Sequence, residues 1–128
     1  MKLLLDTHVF IWWDDEAGTL SDAARSALEI PDNDVYLSIA SVWEMQIKSD
    51  LGKLTFNLSI GEKVASQRLH NGLVVLPVTE NHIYELSTLK NHHRDPFDRL
   101  LVAQARREGM TLVTADPQVQ AYQVATLW

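Results

Sequence analysis

The chain has 128 residues, of which 46% are hydrophobic and 22% charged, values typical of one soluble globular domain. It contains no cysteine, which excludes disulfides, thiolate metal sites and cysteine nucleophiles. No apolar run approaches the roughly 20 residues that span a bilayer, and Asp6 interrupts the N-terminal run too early for a signal-peptide core. We therefore expect a single domain over residues 1–128, located in the cytoplasm and without membrane contact.

The formal net charge of −6 argues, taken alone, against a nucleic-acid partner, because surfaces that bind phosphate are usually basic. An acidic excess often serves solubility. A second interpretation is that part of the excess forms a carboxylate cluster, which a divalent cation would neutralise. The positions of the acids along the chain bear on this choice, whereas the summed charge does not.

Short apolar runs alternate along the chain with longer segments of helical periodicity. The apolar runs predict strands at residues 2–5, 35–37, 73–76, 111–113 and 124–127. The periodic segments predict a first helix carrying Trp12 and Trp13, followed by helices at 21–29, 41–51, 59–69, 79–89 and 95–107. This alternation predicts an α/β protein, a three-layer α/β/α sandwich around a short, mostly parallel sheet of four to five strands.

Two acids follow the first and second predicted strands. Asp6 comes directly after the first strand, where an N-cap is a common use of aspartate. Glu44 stands three residues after Ser41, which matches a capping box. Glu44 also shares a helix face with Ile47 and Leu51, so we expect it to border buried surface, where a carboxylate is costly without compensation.

Two further acids stand at helix starts that contain proline. Asp95 before Pro96 predicts an N-cap followed by proline at the first helical position. Asp98 is then the third helical residue, where the helix dipole favours an acid, and its neighbours at i+3 and i+4 are apolar. Asp116 precedes Pro117 and again fits an N-cap.

Helix capping explains each acid singly, so a functional hypothesis depends on Asp6, Glu44, Asp98 and Asp116 as a set. All four follow a predicted strand or open a helix, and in parallel sheets such positions meet at the carboxyl ends of the strands, where ligands bind. Four carboxylates in one cleft repel one another and need a cation. In the absence of Cys and of a clear His pattern, oxygen ligands favour Mg²⁺ or Mn²⁺ over Zn²⁺. Such a site suits metal-assisted hydrolysis of a phosphodiester.

The segments around these acids resemble PIN-domain nucleases, and among them the VapC-type toxins of bacterial toxin–antitoxin pairs. The resemblance extends from Leu3 to about Tyr122. Its carriers, in chain order, are LLDTH at 4–8, SIASVWE at 38–44, DPFDRLLVAQA at 95–105 and LVTAD at 112–116. Each segment is short, and their specificity comes from the order and separation of the four.

The resemblance implies a role for each acid. Asp6 and Asp98 match the two acids that most directly hold the metal, Mg²⁺ or Mn²⁺. Glu44 matches the helix-borne acid that completes the cluster. Asp116 matches the fourth acid, which is the most variable of the set.

Two hydroxyl residues are implied as supports of the site. Thr114 matches the hydroxyl residue that supports the site near the fourth acid. Thr7 ranks below it as a candidate of the same kind, with N-capping as the alternative. The resemblance also implies an RNA substrate, inhibition by a cognate antitoxin, and a homodimer.

Other side chains admit two interpretations. His92 and His93 lie in a polar stretch without metal-ligand spacing, and we expect surface histidines in preference to RNA contacts. Trp12 and Trp13 are adjacent, so we expect one to enter the core and the other to face out, by ordinary packing or at a dimer or antitoxin contact. Several basic residues close in sequence either pair with acids or contact RNA phosphates: Lys90, Arg94, Arg99, Arg106 and Arg107.

Three functions remain open from the sequence. The first is an endoribonuclease toxin of a type II toxin–antitoxin pair, which cleaves RNA with a carboxylate-bound divalent ion. The second is the same kind of nuclease in RNA processing or DNA repair, and the third is a non-catalytic binding module that keeps the fold. We rank the first highest and the third lowest, because all four acids are present.

Overall fold

A computed structural model describes residues 1–90 and 95–128 of the chain. Within these ranges five strands form one sheet: β1 (Lys2–Leu5), β2 (Asp34–Ser38), β3 (Val74–Leu76), β4 (Thr111–Val113) and β5 (Thr126–Leu127). The helices are α1 (Thr7–Asp15), α2 (Asp22–Glu29), α3 (Ile39–Asp50), α4 (Ile60–Asn71), α5 (Glu80–Glu85), α6 (Pro96–Glu108) and α7 (Pro117–Gln120). Short 3₁₀ helices occupy Ala17–Thr19 and Leu86–Thr88.

The strand order is β3-β2-β1-β4-β5, and all four pairings are parallel. The central strand β1 pairs Leu4 with Tyr36 on one side and with Leu112 on the other. Leu3 and Leu5 pack into one hydrophobic core, and Leu4 packs into a second core on the opposite face. A strand buried on both faces explains why the first apolar run does not alternate with polar residues.

Helices cover both faces of the sheet and confirm the predicted three-layer α/β/α fold. The core around Leu3 is completed by residues of α1 to α4, among them Phe10, Ala24 and Met45. The core around Leu4 is completed mainly by α6, and its residues include Leu101. The chain runs from β1 outward through β2 to β3 and then returns to β4, so the strand order reverses beside β1. In parallel sheets, a crevice for ligands lies at the carboxyl ends of the strands at such a reversal.

Serine side chains cap helices α2 and α4. Ser21 and Ser59 accept hydrogen bonds from the backbone N–H groups of Ala24 and Glu62. Helices α4 and α6 end at Gly72 and Gly109, whose φ angles of 66° and 65° lie in the left-handed region that favours glycine.

Helix α3 departs from the prediction in its start and in the face that it buries. Its N-cap is Ser38, whose Oγ accepts from the N–H of Ala40, so the predicted cap at Ser41 is wrong. The helix therefore begins at the end of β2, and Ser41 is buried inside it. Leu51 is 65% exposed whereas Glu44 is 3% exposed, so the acid is buried although its predicted apolar neighbour is not.

The predicted helix at 79–89 is interrupted. Helix α5 stops at Glu85 and a 3₁₀ turn follows. The helical spacing of Ile83, Leu86 and Leu89 predicts that all three face inward, but Ile83 is 46% exposed. His82 is fully buried instead. Its Nδ1 accepts from the N–H of Thr79 at 3.0 Å, and its Nε2 lies 2.8 Å from Oε1 of Glu108. These hydrogen bonds make the histidine the inward-facing residue of this helix.

The two adjacent tryptophans also differ from the prediction, because Trp12 and Trp13 are both half-buried and both pack against the core around Leu3. Within the described ranges, we find no helix with the length and apolarity needed to cross a membrane.

Candidate carboxylate site

Asp6 lies at the point where β1 passes into α1 and is 7% exposed. Its Oδ1 accepts from the N–H of His8 at 3.3 Å, which caps the helix, and its Oδ2 accepts from the hydroxyl of Thr114 at 2.7 Å. Burial raises the pKa of Asp6, and the nearby charge of Glu44 adds to this, against the opposing effects of Thr114 and His8. The carboxylate is therefore held in place but not fully compensated by the protein.

Glu44 is held by the first residue of α1. Oγ1 of Thr7 lies 2.7 Å from Oε1 of Glu44 and 2.9 Å from Oγ of Ser41. Because an ionised carboxylate only accepts and a hydroxyl has one proton, Thr7 donates to Glu44 and Ser41 donates to Thr7. Thr7 thus connects α1 to α3, whereas the N-cap of α1 is Asp6.

Lys48 binds the other oxygen of Glu44. Its Nζ lies 2.7 Å from Oε2, one helical turn along α3. Burial lowers the pKa of Lys48, but the hydrogen bond and charge of Glu44, followed by the charges of Asp95 and Asp98, outweigh this and raise it. The ammonium group therefore lies in the field of acids from both α3 and the start of α6.

Asp98 lies in the first turn of α6 and is half-buried. As predicted, Asp95 caps this helix, with its Oδ1 accepting from the N–H groups of Phe97 at 2.9 Å and Asp98 at 3.4 Å. Pro96 occupies the first helical position. The cap fixes the first turn of α6, which carries Asp98.

Thr114 joins the acids that follow β1 and β4. It is fully buried, its hydroxyl donates to Asp6, and its Oγ1 accepts from the N–H of Asp116 at 3.1 Å. Asp116 in turn caps α7 by accepting from the N–H of Gln118 at 2.9 Å. One side chain thus ties the ends of two neighbouring strands.

The structure brings the predicted acids together unequally. The charges of Asp6 and Glu44 act on each other, and the charges of Glu44 and Asp98 both act on Lys48. Asp116 is connected to Asp6 by its backbone N–H, which donates to Thr114. Among residues 1–90 and 95–128, no three His, Asp or Glu side chains lie close enough to hold one metal ion. Four surface cavities of about 300 to 540 Å³ are lined by other residues.

The donor chemistry nevertheless fits a hard divalent cation. Asp6 is a buried carboxylate with a raised pKa, and a cation beside it would stabilise its ionised form. Mg²⁺ usually takes one or two carboxylates and fills its remaining positions with water and substrate oxygens. Asp6 and one further acid would therefore be enough protein ligands for Mg²⁺.

Sequence reasoning missed Lys48, although its i+4 spacing from Glu44 is the ordinary signal of a helical ion pair. It also missed Trp43, which is 62% exposed beside the buried Glu44 and meets the ring of Phe97 edge-on at 5.3 Å. An exposed tryptophan in a run of apolar residues gives no sequence signal, because only the tertiary packing decides which face is covered.

The basic residues expected to pair with acids or contact RNA are partly used within the protein. Arg99 donates to the hydroxyl of Tyr122 and to backbone carbonyls, and Arg106 pairs with Glu85 at 3.2 Å. His92, His93 and Arg94 lie outside the described residues.

Comparison with known proteins gives consistent results in sequence and structure. The PIN domain family matches residues 3–125. Ribonuclease VapC22 of Mycobacterium tuberculosis (strain ATCC 25618 / H37Rv) is 28% identical over 130 residues, covering 98% of this chain and 98% of that protein.

Solved structures show the same fold. The crystal structure of VapBC2 from Rickettsia felis bound to a DNA fragment from their promoter superimposes with a TM-score of 0.74 at 17% identity, covering 98% of this chain and 97% of that chain. FitAcB from Neisseria gonorrhoeae gives 0.59 at 20% identity, covering 97% and 95%. Because the family match covers nearly the whole sequence, the resemblance drawn from the acidic segments is confirmed, and the chain belongs to the PIN domain family.

Proposed function

We propose that this chain is a metal-dependent endoribonuclease that acts in the cytoplasm as the toxin of a type II toxin–antitoxin pair. The observation that carries the proposal is the carboxylate of Asp6, which is buried beside Glu44 where the strand order reverses and is only partly compensated by its hydrogen bonds. Burial of a charge without full compensation costs stability and is typical of functional sites. The similarity to a VapC ribonuclease over nearly the whole length supports the choice of RNA as substrate.

In this proposal Asp6 and Asp98 hold Mg²⁺ or Mn²⁺, which when bound offsets charge on the scissile phosphate and eases the ionisation of a water nucleophile. Thr114 fixes the orientation of Asp6 and, through the N–H of Asp116, the position of the fourth acid. Glu44 completes the negative field from α3. The protein therefore contributes orientation and charge, which are the main requirements of phosphoryl chemistry.

Thr7 is a positioning residue in the same mechanism. Its hydroxyl holds one oxygen of Glu44, so the acid keeps one rotamer relative to α1 and to Asp6. The N-cap interaction of Asp6 has a parallel effect, because the helix N-terminus eases the negative charge of a carboxylate placed there.

The proposal extends to the partners of the chain. We propose a cognate antitoxin that blocks the site, supported by the similarity to VapBC complexes. We also propose a homodimer. Trp43 offers an apolar contact for the second copy, since it is 62% exposed, supported by Phe97, and tryptophan is favoured at interface hot spots.

The experiment compares purified wild-type protein with Asp98→Asn and Asp95→Asn on structured RNA with Mn²⁺ or EDTA. Both variants lose one charge near the start of α6, but asparagine also caps helices well, so Asp95→Asn keeps the structural role. We expect cleavage by the wild type and by Asp95→Asn with Mn²⁺ only, and none by Asp98→Asn. Cleavage by Asp98→Asn at the wild-type rate, or cleavage by the wild type in EDTA, would contradict the proposal.

The toxin role is tested separately in cells. Induced expression of the wild type should arrest growth, whereas Asp98→Asn should not. Growth unaffected by an active wild-type nuclease would favour RNA processing or DNA repair over the toxin role.

A further inference from the structure

Lys48 directs a positive charge into the acidic site from α3. Its ammonium donates to Oε2 of Glu44 at 2.7 Å, while Oε1 is held by Thr7 at the same distance. Glu44 is only 3% exposed, and the Lys48 side chain is 33% exposed. Each oxygen of this buried carboxylate therefore has a protein donor, and one of the two donors is a cation with access to solvent.

The surroundings of Lys48 extend beyond its helix. Besides Glu44, the residues whose charges act on it are Asp95 and Asp98, which belong to the cap and first turn of α6. These acids come from a different helix and a distant part of the sequence. Lys48 thus occupies the field of Asp98, one of the two acids that the proposed function assigns to the divalent cation, and of Glu44, which completes the negative field of that site.

We propose that Lys48 is the built-in counter-ion of the carboxylate site, which holds Glu44 in the metal-free protein and competes with the divalent cation. The inference rests on one part of the proposed function, the binding of a divalent cation, and does not depend on RNA cleavage. Direct coordination by Oε2 of Glu44 requires the ammonium to leave, and a cation bound nearby is repelled while it stays. The flexible stem of lysine allows it to move toward solvent, since its side chain is already one-third exposed.

An ordinary helical ion pair is the simpler interpretation of the same contact. Pairs at i and i+4 on an exposed helix surface contribute little to stability. The Glu44 pair differs because the acid is buried and because acids of α6 act on the same ammonium. The two interpretations differ in their prediction for metal affinity in the absence of RNA.

The test titrates EDTA-treated and dialysed protein with MnCl₂ and follows free Mn²⁺ by electron paramagnetic resonance, without RNA. It compares the wild type with Lys48→Met, Lys48→Arg and Lys53→Met. Lys53 is exposed and follows the same helix, so its replacement removes the same charge from the same region. We expect Lys48→Met to bind Mn²⁺ at least about fivefold more tightly, and Lys48→Arg and Lys53→Met to stay within about twofold of the wild type.

Thermal melting gives a second readout that does not depend on affinity alone. In EDTA, Lys48→Met should melt below the wild type because a buried carboxylate loses a donor. Added Mn²⁺ should raise its melting temperature by more than that of the wild type, because tighter binding stabilises more. If Lys48→Met does not fold, Lys48→Gln keeps a donor for Glu44 without the charge and gives the same prediction for affinity.

The outcomes separate the inference from the proposed function. Equal or weaker Mn²⁺ binding by Lys48→Met and Lys48→Gln, with binding intact in the wild type, overturns the inference alone. Tighter binding by both variants in a protein that cleaves no RNA supports the inference and contradicts the proposed activity. Absence of Mn²⁺ binding by every variant contradicts both.

Discussion

Replacing Thr114 by valine probes the connection between the ends of β1 and β4. Valine is close to threonine in shape, so at this buried position the main change is the replacement of the hydroxyl by a methyl group. The variant loses the 2.7 Å hydrogen bond to Asp6 and leaves the N–H of Asp116 without this acceptor. We expect the free energy of unfolding to fall by about 1.5–3 kcal/mol, the usual contribution of a hydrogen bond to a charged group.

The expected change in melting temperature follows from the size of the chain. At about 2.1 cal/mol/K per residue, 128 residues give an unfolding entropy of about 0.27 kcal/mol/K. The predicted loss then lowers the melting temperature by about 6–11 °C. Calorimetry at pH 7 in EDTA measures this, and Thr114→Ser, which keeps the hydroxyl, should recover most of it.

The same substitution should change the pH dependence of metal binding. The hydrogen bond from Thr114 lowers the pKa of Asp6, so its removal lets burial raise that pKa further. A larger share of Asp6 is then protonated at a given acidic pH, and the acid limb of Mn²⁺ binding moves to higher pH. A Thr114→Val protein that melts within about 2 °C of the wild type, with an unmoved acid limb, would refute the reasoning.

Three further changes test other parts of the structure. Because folding raises the pKa of Asp6, its ionised form destabilises the folded state above the folded pKa, and this cost disappears as the pH falls through that value toward 3.8. Asp6→Asn should therefore melt at or above the wild-type temperature at pH 7 in EDTA. A clearly lower melting temperature would contradict this reasoning. Lys63 is 3% exposed and forms ion pairs with Asp14 and Asp15. Burial lowers the pKa of Lys63, but the two acids outweigh this and raise it. The ion pairs therefore stabilise the fold fully below the ordinary lysine pKa of 10.5, and this stabilisation is lost as the pH rises through the folded pKa. Lys63→Met should lower the free energy of unfolding in urea by about 1–3 kcal/mol at pH 7 and leave Mn²⁺ affinity unchanged. An equal loss at a pH above the folded pKa of Lys63 would count against the ion pairs as the cause. If the wild type sediments as the proposed dimer, Trp43→Ala should sediment closer to the monomer with little change in melting temperature. An unchanged dimer would exclude this tryptophan from the interface, and a monomeric wild type would contradict the proposed dimer.

Local signals in the sequence predict the placement of the acids well. Asp6, Asp95 and Asp116 all cap helices as expected, since capping depends on neighbouring backbone N–H groups within the same segment. The strand at residues 2–5 is also found as predicted, because an unbroken apolar run suits a strand that is buried on both faces.

Contacts between distant segments decide what the sequence does not predict. Ser41 matches a capping-box pattern, but Ser38 is the N-cap of α3 because β2 ends there. Ser41 instead forms a hydrogen bond with Thr7, which is 34 residues away in the sequence. The exposed Trp43 and Leu51 show that helical periodicity finds the helix without fixing the face that its neighbours cover. His82 replaces Ile83 in the interior for the same reason, since its partner Glu108 lies 26 residues away.

The distances and charge interactions among the acids also depend on contacts between distant segments. Each acid is placed by its own strand end or helix cap, but the field that Asp98 exerts on Lys48 depends on how α3 meets α6. Periodicity within either helix carries no information on that meeting. The sequence therefore indicates which carboxylates follow a strand or open a helix, and the distances between them depend on the tertiary fold.

A crystal of the wild-type protein soaked in MnCl₂ and measured for anomalous scattering tests the central claim most directly. The proposed site predicts an anomalous peak between Asp6 and Asp98, with a carboxylate oxygen of each at about 2.1 Å from the ion. Asp98→Asn crystals soaked in the same way should lose the peak. A saturated wild-type crystal whose only manganese peaks lie away from these two acids would contradict the account.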